Sequence, residues 1–506
     1  MLPLIRWIPR IRTRPLSARP RTRAYGPLAL AAVALATVGL AVGCATNPIT
    51  GKKEISFVSE SQELEAGKQS KAATEQTYGY YDDPKWTAEV TGLGKRMAAV
   101  SHRPDLQWEF FVLDDPTVNA FAAPGGYIYI TRGILAQFNS EAQLAGVMGH
   151  EIGHVTSRHY ADQATRQQIA GVGLGVASMV SKTVARYGQA ASEGLGLLFL
   201  SYGRGQESES DRLGVDYSIK AGYDPREMPG TYEALARISA RAGARIPSYL
   251  STHPDPEARA VTVRELATQQ VGSRTDLKVN REGYIRSLDG MVYGPDPRQG
   301  YFEQDRYYHP VLKFSLDFPA GWQHQNGKTA VIAGTEDQKA AMRLNLANAG
   351  TNTPEQYVNA LISQKQISGA EGKAEKINGL DAWLGRLQVT DNQGQKGVLQ
   401  AAFIRHTPER MYQLLGQMEQ GSTYEQGFVS TARSFKTLTD AARINVTPAK
   451  IKIVDSPRTG LFNEIVPTLG AQAIDIEQSA ILNGVEVDDQ IVKGRPIKLV
   501  SPGKYK

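Results

Sequence analysis

Hydrophobic and polar residues follow different spacings in successive parts of the chain, and each spacing predicts a different kind of structure. From about residue 50 to residue 290 the spacing is mostly helical. Within that part, residues 108–113 and 127–131 are rich in aromatic and β-branched side chains, and Pro124-Gly125-Gly126 supplies a turn between them. These residues therefore predict a mainly helical domain with one small sheet.

The part of the chain after residue 300 has a different texture. A stretch rich in glycine, proline and charged residues, 294–300, reads as a linker. Apolar and polar residues then alternate over 312–318, which is typical of a half-buried strand. Further strands are expected at 398–404 and 411–415, and a closing helix at 423–434. The pattern predicts an α+β domain, followed by a tail of about 60 residues with several short β-like runs.

The first 43 residues are typical of a secretion signal. Seven arginines precede residue 24, no acidic residue occurs before Glu54, and the mostly apolar run 28–42 is short for a membrane span. That run ends at Cys44, the only cysteine, so an intramolecular disulfide is excluded. Cys44 is therefore the expected lipidation site of a bacterial lipoprotein, and Ala45 after it favours sorting to the outer membrane. An uncleaved N-terminal anchor is the alternative.

The charge balance argues against a nucleic-acid partner. The chain has a formal net charge of +6, but the arginines of the leader account for this excess. Without the first 43 residues, 50 lysines and arginines face 51 aspartates and glutamates. A nearly neutral protein offers no extended basic surface to a polyanion, so we expect no nucleic-acid partner.

The sequence His150-Glu151-Ile152-Gly153-His154 carries the clearest chemical signal in the chain. Histidines four residues apart lie on one face of an α-helix and can bind a single metal ion. The glutamate next to the first histidine can then act as a general base toward a water molecule. We therefore expect His150 and His154 to bind one Zn²⁺ ion, with Glu151 as the catalytic base.

The residues before this motif predict the helix that it needs. Ser140 and Gln143 have the spacing of a capping box, so a helix is expected to begin there. Gly146, Gly149 and Gly153 lie inside that helix, where each costs about 1 kcal/mol relative to alanine. Their presence indicates that another element or a substrate approaches the helix closely.

Zinc in a catalytic site has a third protein ligand and an open fourth position. Glu207 and Asp211, four residues apart in a second predicted helix, share one face of it. Glu207 can reach the metal, and Asp211 can accept a hydrogen bond from the spare N–H of a ligating histidine. Glu209 lies on the opposite side and is the weaker candidate, and a solvated acidic patch is the alternative reading of all three.

These motifs together resemble a known family. Residues 147–155, with Arg158-His159 just after them, resemble the zinc metallopeptidases that include HtpX, BepA and the CaaX prenyl proteases. The resemblance implies Glu207 as the third ligand, the first glutamate of the family's Glu-x-Glu-Ala-Asp pattern, with Ser210 in place of alanine. The start at Cys44-Ala45-Thr46-Asn47-Pro48 is similar to the periplasmic lipoprotein branch, whereas the prenyl proteases are multi-spanning.

The resemblance also implies roles for two further segments. Residues 119–126 look like the strand that precedes the metal helix in the family, so Asn119, Ala120, Phe121 and Ala122 are expected to pair with a peptide substrate. Residues 252–259 match another family segment. There, His253 could cap the open zinc position or stabilise the oxyanion, and Arg259 is a second candidate for the oxyanion. A helix-start loop with ordinary packing is the alternative.

The expected fold class is α+β, with a mainly helical zincin-type metallopeptidase domain, an α+β accessory domain and a small C-terminal module. The accessory domain is similar to a PsbP-like domain, and the module resembles the second half of a LysM module, which binds peptidoglycan. The expected boundaries are 1–43 for the signal peptide, 44–293 for the peptidase, 300–440 for the accessory domain and 446–506 for the LysM-like module.

The expected function is that of a periplasmic zinc metalloendopeptidase, lipid-anchored to the outer membrane. Its expected substrates are misfolded or misassembled envelope proteins, and peptidoglycan is a candidate contact of the C-terminal module. The alternative is a latent protease that acts mainly as a chaperone-like or wall-associated scaffold, with its zinc site shut by His253.

Overall fold

The computed structural model describes residues 43–173, 202–242, 249, 252–390 and 395–505. Of the predicted signal peptide, residues 1–42 lie outside the described residues. Within the described ranges, none of the helices has the length and apolar character needed to cross a membrane.

The small sheet of the N-terminal part forms where the aromatic and β-branched residues occur. It contains β3 (Glu109–Leu113), β4 (Ala120–Ala123) and β5 (Tyr127–Thr131). The strand order is β3-β5-β4, with β3 parallel and β4 antiparallel to β5, so β4 lies at an edge of the sheet. A hairpin of β1 (Gly43–Thr46) and β2 (Lys53–Ser56) precedes this sheet. The strands predicted from the sequence at 108–113 and 127–131 are β3 and β5, and both are confirmed.

The described residues of this domain also form helices, some of which pack against the sheet. They are α1 (Glu60–Tyr78), α2 (Pro84–Ala99), α3 (Arg132–Gln137), α4 (Glu141–Thr156), α5 (His159–Gly173), α6 (Arg204–Lys220), α7 (Met228–Ala242), α8 (Pro256–Val271) and α9 (Arg281–Ser287). Helix α4 is almost entirely buried and packs against α2, α6 and β4. The helix that carries the histidine motif is therefore the centre of the domain.

Helix α4 begins where the sequence predicts. Ser140 is the N-cap, and its hydroxyl accepts a hydrogen bond from the backbone N–H of Gln143 at 3.2 Å. The Gln143 side chain accepts from the N–H of Asn139 rather than from that of Ser140, so only half of the capping box forms as expected. The side chains of Ser140 and Gln143 each still accept a hydrogen bond from one backbone N–H near the start of the helix.

The glycines of α4 make room for its neighbours, as predicted. A Cβ atom added to Gly149 would lie 3.1 Å from both the Cα and the carbonyl oxygen of Gly214 in α6. A Cβ at Gly153 would lie 3.2 Å from Cα of Ser210, and one at Gly146 would lie 2.2 Å from Cγ of Met228. Helices α4 and α6 thus pack backbone against backbone, which no larger residue permits.

The accessory domain is a sandwich of two antiparallel sheets with one helix on each side of the larger sheet. The four-stranded sheet has the order β16-β8-β7-β6, and the seven-stranded sheet has the order β12-β13-β14-β15-β11-β10-β9. Its strands are β6 (Tyr301–Glu303), β7 (Arg306–His309), β8 (Phe314–Asp317), β9 (Gln323–Asn326), β10 (Ala330–Gly334), β11 (Ala340–Ala347), β12 (Gly369–Ile377), β13 (Leu380–Thr390), β14 (Lys396–Thr407), β15 (Arg410–Met418) and β16 (Lys436–Thr437).

The two faces of the larger sheet build two separate cores. In β14, Ala402 and Ile404 join the core beneath α11 (Thr423–Ser434), whereas Ala401 and Phe403 join the core beneath α10 (Pro354–Ser363). This alternation follows from the two-residue period of a strand. The strands predicted at 398–404 and 411–415 are the central parts of β14 and β15, and the helix predicted at 423–434 is confirmed. The predicted linker contains a short 3-10 helix, Pro297–Gln299.

The C-terminal segment folds as two small two-stranded sheets with short helices between their strands. Its elements are α12 (Ala441–Ile444), β17 (Lys450–Asp455), β18 (Gly460–Leu461), α13 (Phe462–Ile465), α14 (Ile476–Asn483), β19 (Gln490–Ile491) and β20 (Pro496–Ser501). Strands β17 and β20 pair antiparallel. The segment has a small core of its own, but Ile451, Leu482 and Val500 belong to the core of the N-terminal domain.

A buried lysine joins this segment to the N-terminal domain. Lys498 of β20 is fully buried, and its Nζ donates to the carbonyl oxygens of Ala136 at 2.9 Å and Phe138 at 3.0 Å. These carbonyls lie at the C-terminal end of α3, where a cation is favoured by the helix dipole. The tail is thus packed against the helical domain instead of extending from it.

Candidate metal centre

Four buried side chains from three parts of the chain meet at the centre of the helical domain. His150 and His154 come from α4, Glu207 comes from α6, and His253 comes from the turn before α8. One ligand atom from each of these residues lies within 4.8 Å of all the others. All four residues are no more than 2% exposed, so the group is shielded from bulk water.

The spacing of these atoms fits a tetrahedral ion. His150 Nε2 lies 3.0 Å from His154 Nε2 and 3.6 Å from Glu207 Oε2, and His154 Nε2 lies 3.4 Å from Glu207 Oε1. The Nδ1 atom of His253 lies 3.3 Å from His150 Nε2. Ligands about 2.0–2.1 Å from a tetrahedral zinc ion are about 3.4 Å apart. Three imidazoles and one carboxylate are also ligand types that zinc prefers, so this group fits one zinc ion.

Asp211 and Arg259 surround the ligands on the side of α6 and α8. Asp211 Oδ1 lies 2.8 Å from Nδ1 of His150, leaving Nε2 of that ring free to face the group. Arg259 donates to Asp211 through Nε at 2.8 Å and Nη2 at 2.6 Å, and its Nη1 lies 2.7 Å from Glu207 Oε2. Tyr232 adds a hydrogen bond to Asp211 at 2.7 Å.

Glu151 is the buried carboxylate without a hydrogen-bond partner. It is fully buried, and neither of its oxygens makes a hydrogen bond within the described ranges. Its Oε1 atom lies 3.5 Å from Nε2 of His253. A carboxylate that is buried and unpaired in this way is costly, which is typical of a group kept available for a ligand or for chemistry.

The burial and charge of the group shift several pKa values. Burial raises the pKa of Glu151 above its usual value, and the neighbouring side chain of His253 only partly opposes this. Burial would also raise the pKa of Glu207, but His253 and Arg259 outweigh it and hold that pKa well below its usual range. Burial lowers the pKa of His154 well below that of a free histidine. Glu207 is thus ionised and His154 neutral, the states in which they bind a metal.

Comparison with known proteins agrees with this geometry. Residues 84–267, which include α2 to α7, most of α8 and all four side chains, match Peptidase family M48. Residues 84–267 are therefore similar to an M48 peptidase domain. The predicted resemblance to the HtpX/BepA-type zinc metallopeptidases is therefore confirmed, and the four-residue group of the M48 domain corresponds to a single zinc site.

Named relatives share this domain. The beta-barrel assembly-enhancing protease of Escherichia coli K12 is 32% identical over 234 residues, 44% of this chain and 47% of that protein. The mitochondrial metalloendopeptidase OMA1 of Arabidopsis thaliana is 35% identical over 166 residues, 33% of each chain. The match thus spans about half the length of the first relative. A solved cyanobacterial PsbP aligns with 15% identity over 26% of this chain and 91% of its own, at a TM-score of 0.21 that supports no fold assignment.

The structure brings His150, His154, Glu207 and His253 together, with Glu151, Asp211 and Arg259 around them. The other predicted residues lie elsewhere: residues 119–122 are buried at and in strand β4, and Cys44 lies in β1. Neither Asn119 nor Cys44 belongs to the metal group. Glu209, the weaker candidate ligand, lies outside the group and contacts His159. The sequence motif contained His159, but its spacing alone assigned it no function.

Proposed function

We propose that this chain is a zinc-dependent metalloendopeptidase of the bacterial cell envelope. The observation that carries the proposal is the buried group of His150, His154 and Glu207, with the unpaired carboxylate of Glu151 beside it. A structural zinc site needs only its ligands. A spare buried carboxylate next to the ligands is what a hydrolytic site requires.

The side chains divide the chemistry among them. A zinc ion bound by His150, His154 and Glu207 would supply Lewis acidity to water and to a peptide carbonyl. Glu151 takes a proton from the attacking water onto a carboxylate oxygen and returns it to the departing amide nitrogen. The raised pKa of Glu151, caused by burial, suits a group that acts first as base and then as acid.

The surroundings favour different roles for His253 and Arg259. His253 Nδ1 lies 3.0 Å from Glu207 Oε1 and 3.3 Å from His150 Nε2, among the ligand atoms. In this place it caps the position that a substrate carbonyl needs, which supports the inhibitory role over oxyanion stabilisation. Arg259 is committed to Asp211 and Glu207, so it positions these carboxylates instead of facing the substrate.

The substrate is proposed to be an extended segment of an unfolded or misassembled envelope protein. The position of strand β4 at the sheet edge, packed beside α4, supports pairing of residues 119–122 with such a segment. The similarity to a protein named beta-barrel assembly-enhancing protease supports envelope proteins as the substrate class. Unfolded chains can enter a strand-pairing site that folded proteins cannot.

We further propose that the enzyme is exported, cleaved before Cys44 and lipid-anchored to the outer membrane from the periplasmic side. The basic leader, the short apolar run and the single cysteine support this anchoring. The antiparallel pairing of the outer strands β17 and β20, with α13 and α14 between them in the chain, supports a LysM-like module with a peptidoglycan contact.

The test of the proposed activity is the variant Glu151→Gln. It should bind zinc as the wild type does and lose cleavage of an unfolded protein such as casein by a factor of about 10² to 10⁴. Glu257→Gln, an exposed glutamate at the start of α8, is the matched control and should cleave normally. Full cleavage by Glu151→Gln, or cleavage that survives removal of zinc by a chelator, refutes the mechanism.

A second candidate function is that of a latent protease acting mainly as a chaperone-like or wall-associated scaffold. The position of His253 among the ligand atoms is the specific observation that favours it. The two functions differ in their dependence on the metal. Binding of unfolded proteins by a scaffold survives both chelation and Glu151→Gln, whereas clearance of these proteins by a protease is lost in both.

A further inference from the structure

A second buried histidine connects the metal group to an acidic residue near the surface. His159, the first residue of α5, is 3% exposed and its Nδ1 lies 2.9 Å from Nδ1 of His154. On its other side, His159 Nε2 lies 3.2 Å from Oε2 of Glu209 in α6. The side chain of Glu209 is 28% exposed. The three side chains thus form a continuous row from the metal group toward solvent.

The hydrogen-bonding capacity of imidazole determines the protons along this row. His154 Nε2 faces Glu207 Oε1 and His150 Nε2, so it must carry a lone pair to serve as a ligand. The single proton of neutral His154 is then on Nδ1, and His159 must accept a hydrogen bond from this N–H at its own Nδ1. The proton of His159 is therefore on Nε2, where the carboxylate of Glu209 accepts the hydrogen bond.

The other histidine of α4, His150, has a carboxylate partner in direct contact. His150 Nδ1 lies 2.8 Å from the carboxylate of Asp211, with no residue between them. Glu209 and Asp211 both belong to α6, but Glu209 lies on the side of that helix that faces away from the metal group. His159 fills the space between Glu209 and His154. Helix α6 therefore supplies one carboxylate for the metal and one for each of the two histidines.

We propose that Glu209, acting through His159, is a positioning residue for the metal centre. It holds the proton of His154 on Nδ1 and so keeps Nε2 of that ring directed at the metal. This proposal rests on the proposed zinc function and goes beyond it, because it assigns a role to two residues that bind neither metal nor substrate. Outer partners of metal-bound histidines commonly change metal affinity by about 10- to 100-fold when removed.

The experiment measures zinc affinity of the purified full chain by competition with a chromophoric chelator. Glu209→Ala and His159→Phe should each bind zinc about 10- to 100-fold more weakly than the wild type. Glu209→Gln keeps a side-chain carbonyl that can accept from His159, so it should stay within about threefold of the wild type. Asp216→Asn, which removes the partner of Lys220 elsewhere on α6, is the matched control and should bind normally.

The visible spectrum of the Co²⁺-substituted protein gives a readout that a purely structural role does not change. Glu209→Ala should alter the ligand-field bands, and Glu209→Gln should restore them. The inference is overturned if Glu209→Ala and His159→Phe bind zinc like the wild type, or if Glu209→Gln is as weak as Glu209→Ala. If the wild type binds no zinc, the proposed function fails as well, so the two failures are distinguishable.

Discussion

The contact between Gly149 of α4 and Gly214 of α6 allows a quantitative test of how the metal site is built. The two helices supply three of the four side chains of the site. A Cβ added at residue 149 would lie 3.1 Å from backbone atoms of Gly214 and 3.0 Å from Cε of Met97. The methionine can move its end, but the backbone of Gly214 can move only with its helix. Gly149→Ala must therefore push α4 and α6 apart.

The magnitude follows from two opposing terms. Replacing a glycine by alanine inside a helix stabilises it by about 1 kcal/mol, and overpacking a close contact costs about 1–3 kcal/mol. Gly92 in α2 is the matched control, because a Cβ there meets only Nη1 of Arg96, at 3.6 Å. Gly149→Ala should therefore be about 1–3 kcal/mol less stable than Gly92→Ala. In a domain of this size, that corresponds to roughly 2–12 °C in Tm.

The assay is thermal unfolding of the full chain, following the transition that a chelator lowers. That transition reports the domain that contains the metal site, because zinc stabilises the part of the chain that binds it. Zinc affinity, measured in parallel, should fall in Gly149→Ala and stay unchanged in Gly92→Ala. Equal stabilisation of the two variants, with normal zinc affinity in both, would refute close backbone packing of α4 on α6.

Two further predictions concern histidines. His253→Ala should increase cleavage of an unfolded protein, because the cap over the ligand atoms is removed; an inactive variant with normal zinc content would instead support a role in oxyanion stabilisation. Burial lowers the pKa of His309 to about 4 in the folded chain, whereas in the unfolded chain it is near 6.5. Between pH 6.5 and pH 4 the unfolded chain therefore binds one more proton than the folded chain. The accessory domain should lose up to about 3 kcal/mol as the pH falls from 6.5 to 4. Urea unfolding at pH 7 and pH 4.5 should show a smaller loss for His309→Gln, and an unchanged loss would contradict the argument.

Local sequence patterns predicted the elements that depend on neighbouring residues. The N-cap Ser140 and the spacing of His150 and His154 predicted a helix with both imidazoles on one side, and α4 has this form. The alternating apolar residues around 398–404 predicted a strand, which the structure extends to β14. Helical spacing separated the face of Glu207 and Asp211 from that of Glu209, and the family resemblance indicated Glu207 as the third ligand.

Contacts between distant parts of the chain were decided only by the tertiary structure. His253 lies 103 residues after His150, and Lys498 contacts carbonyl groups about 360 residues before it. The row from His154 through His159 to Glu209 likewise exists only because α5 begins beside α6. The sequence by itself determined the helix and the common face of His150 and His154, since these follow from helical periodicity. Packing of separate elements determined the position of His253 beside them, the contact of His159 with His154 and the attachment of the C-terminal segment, because no local period links these elements.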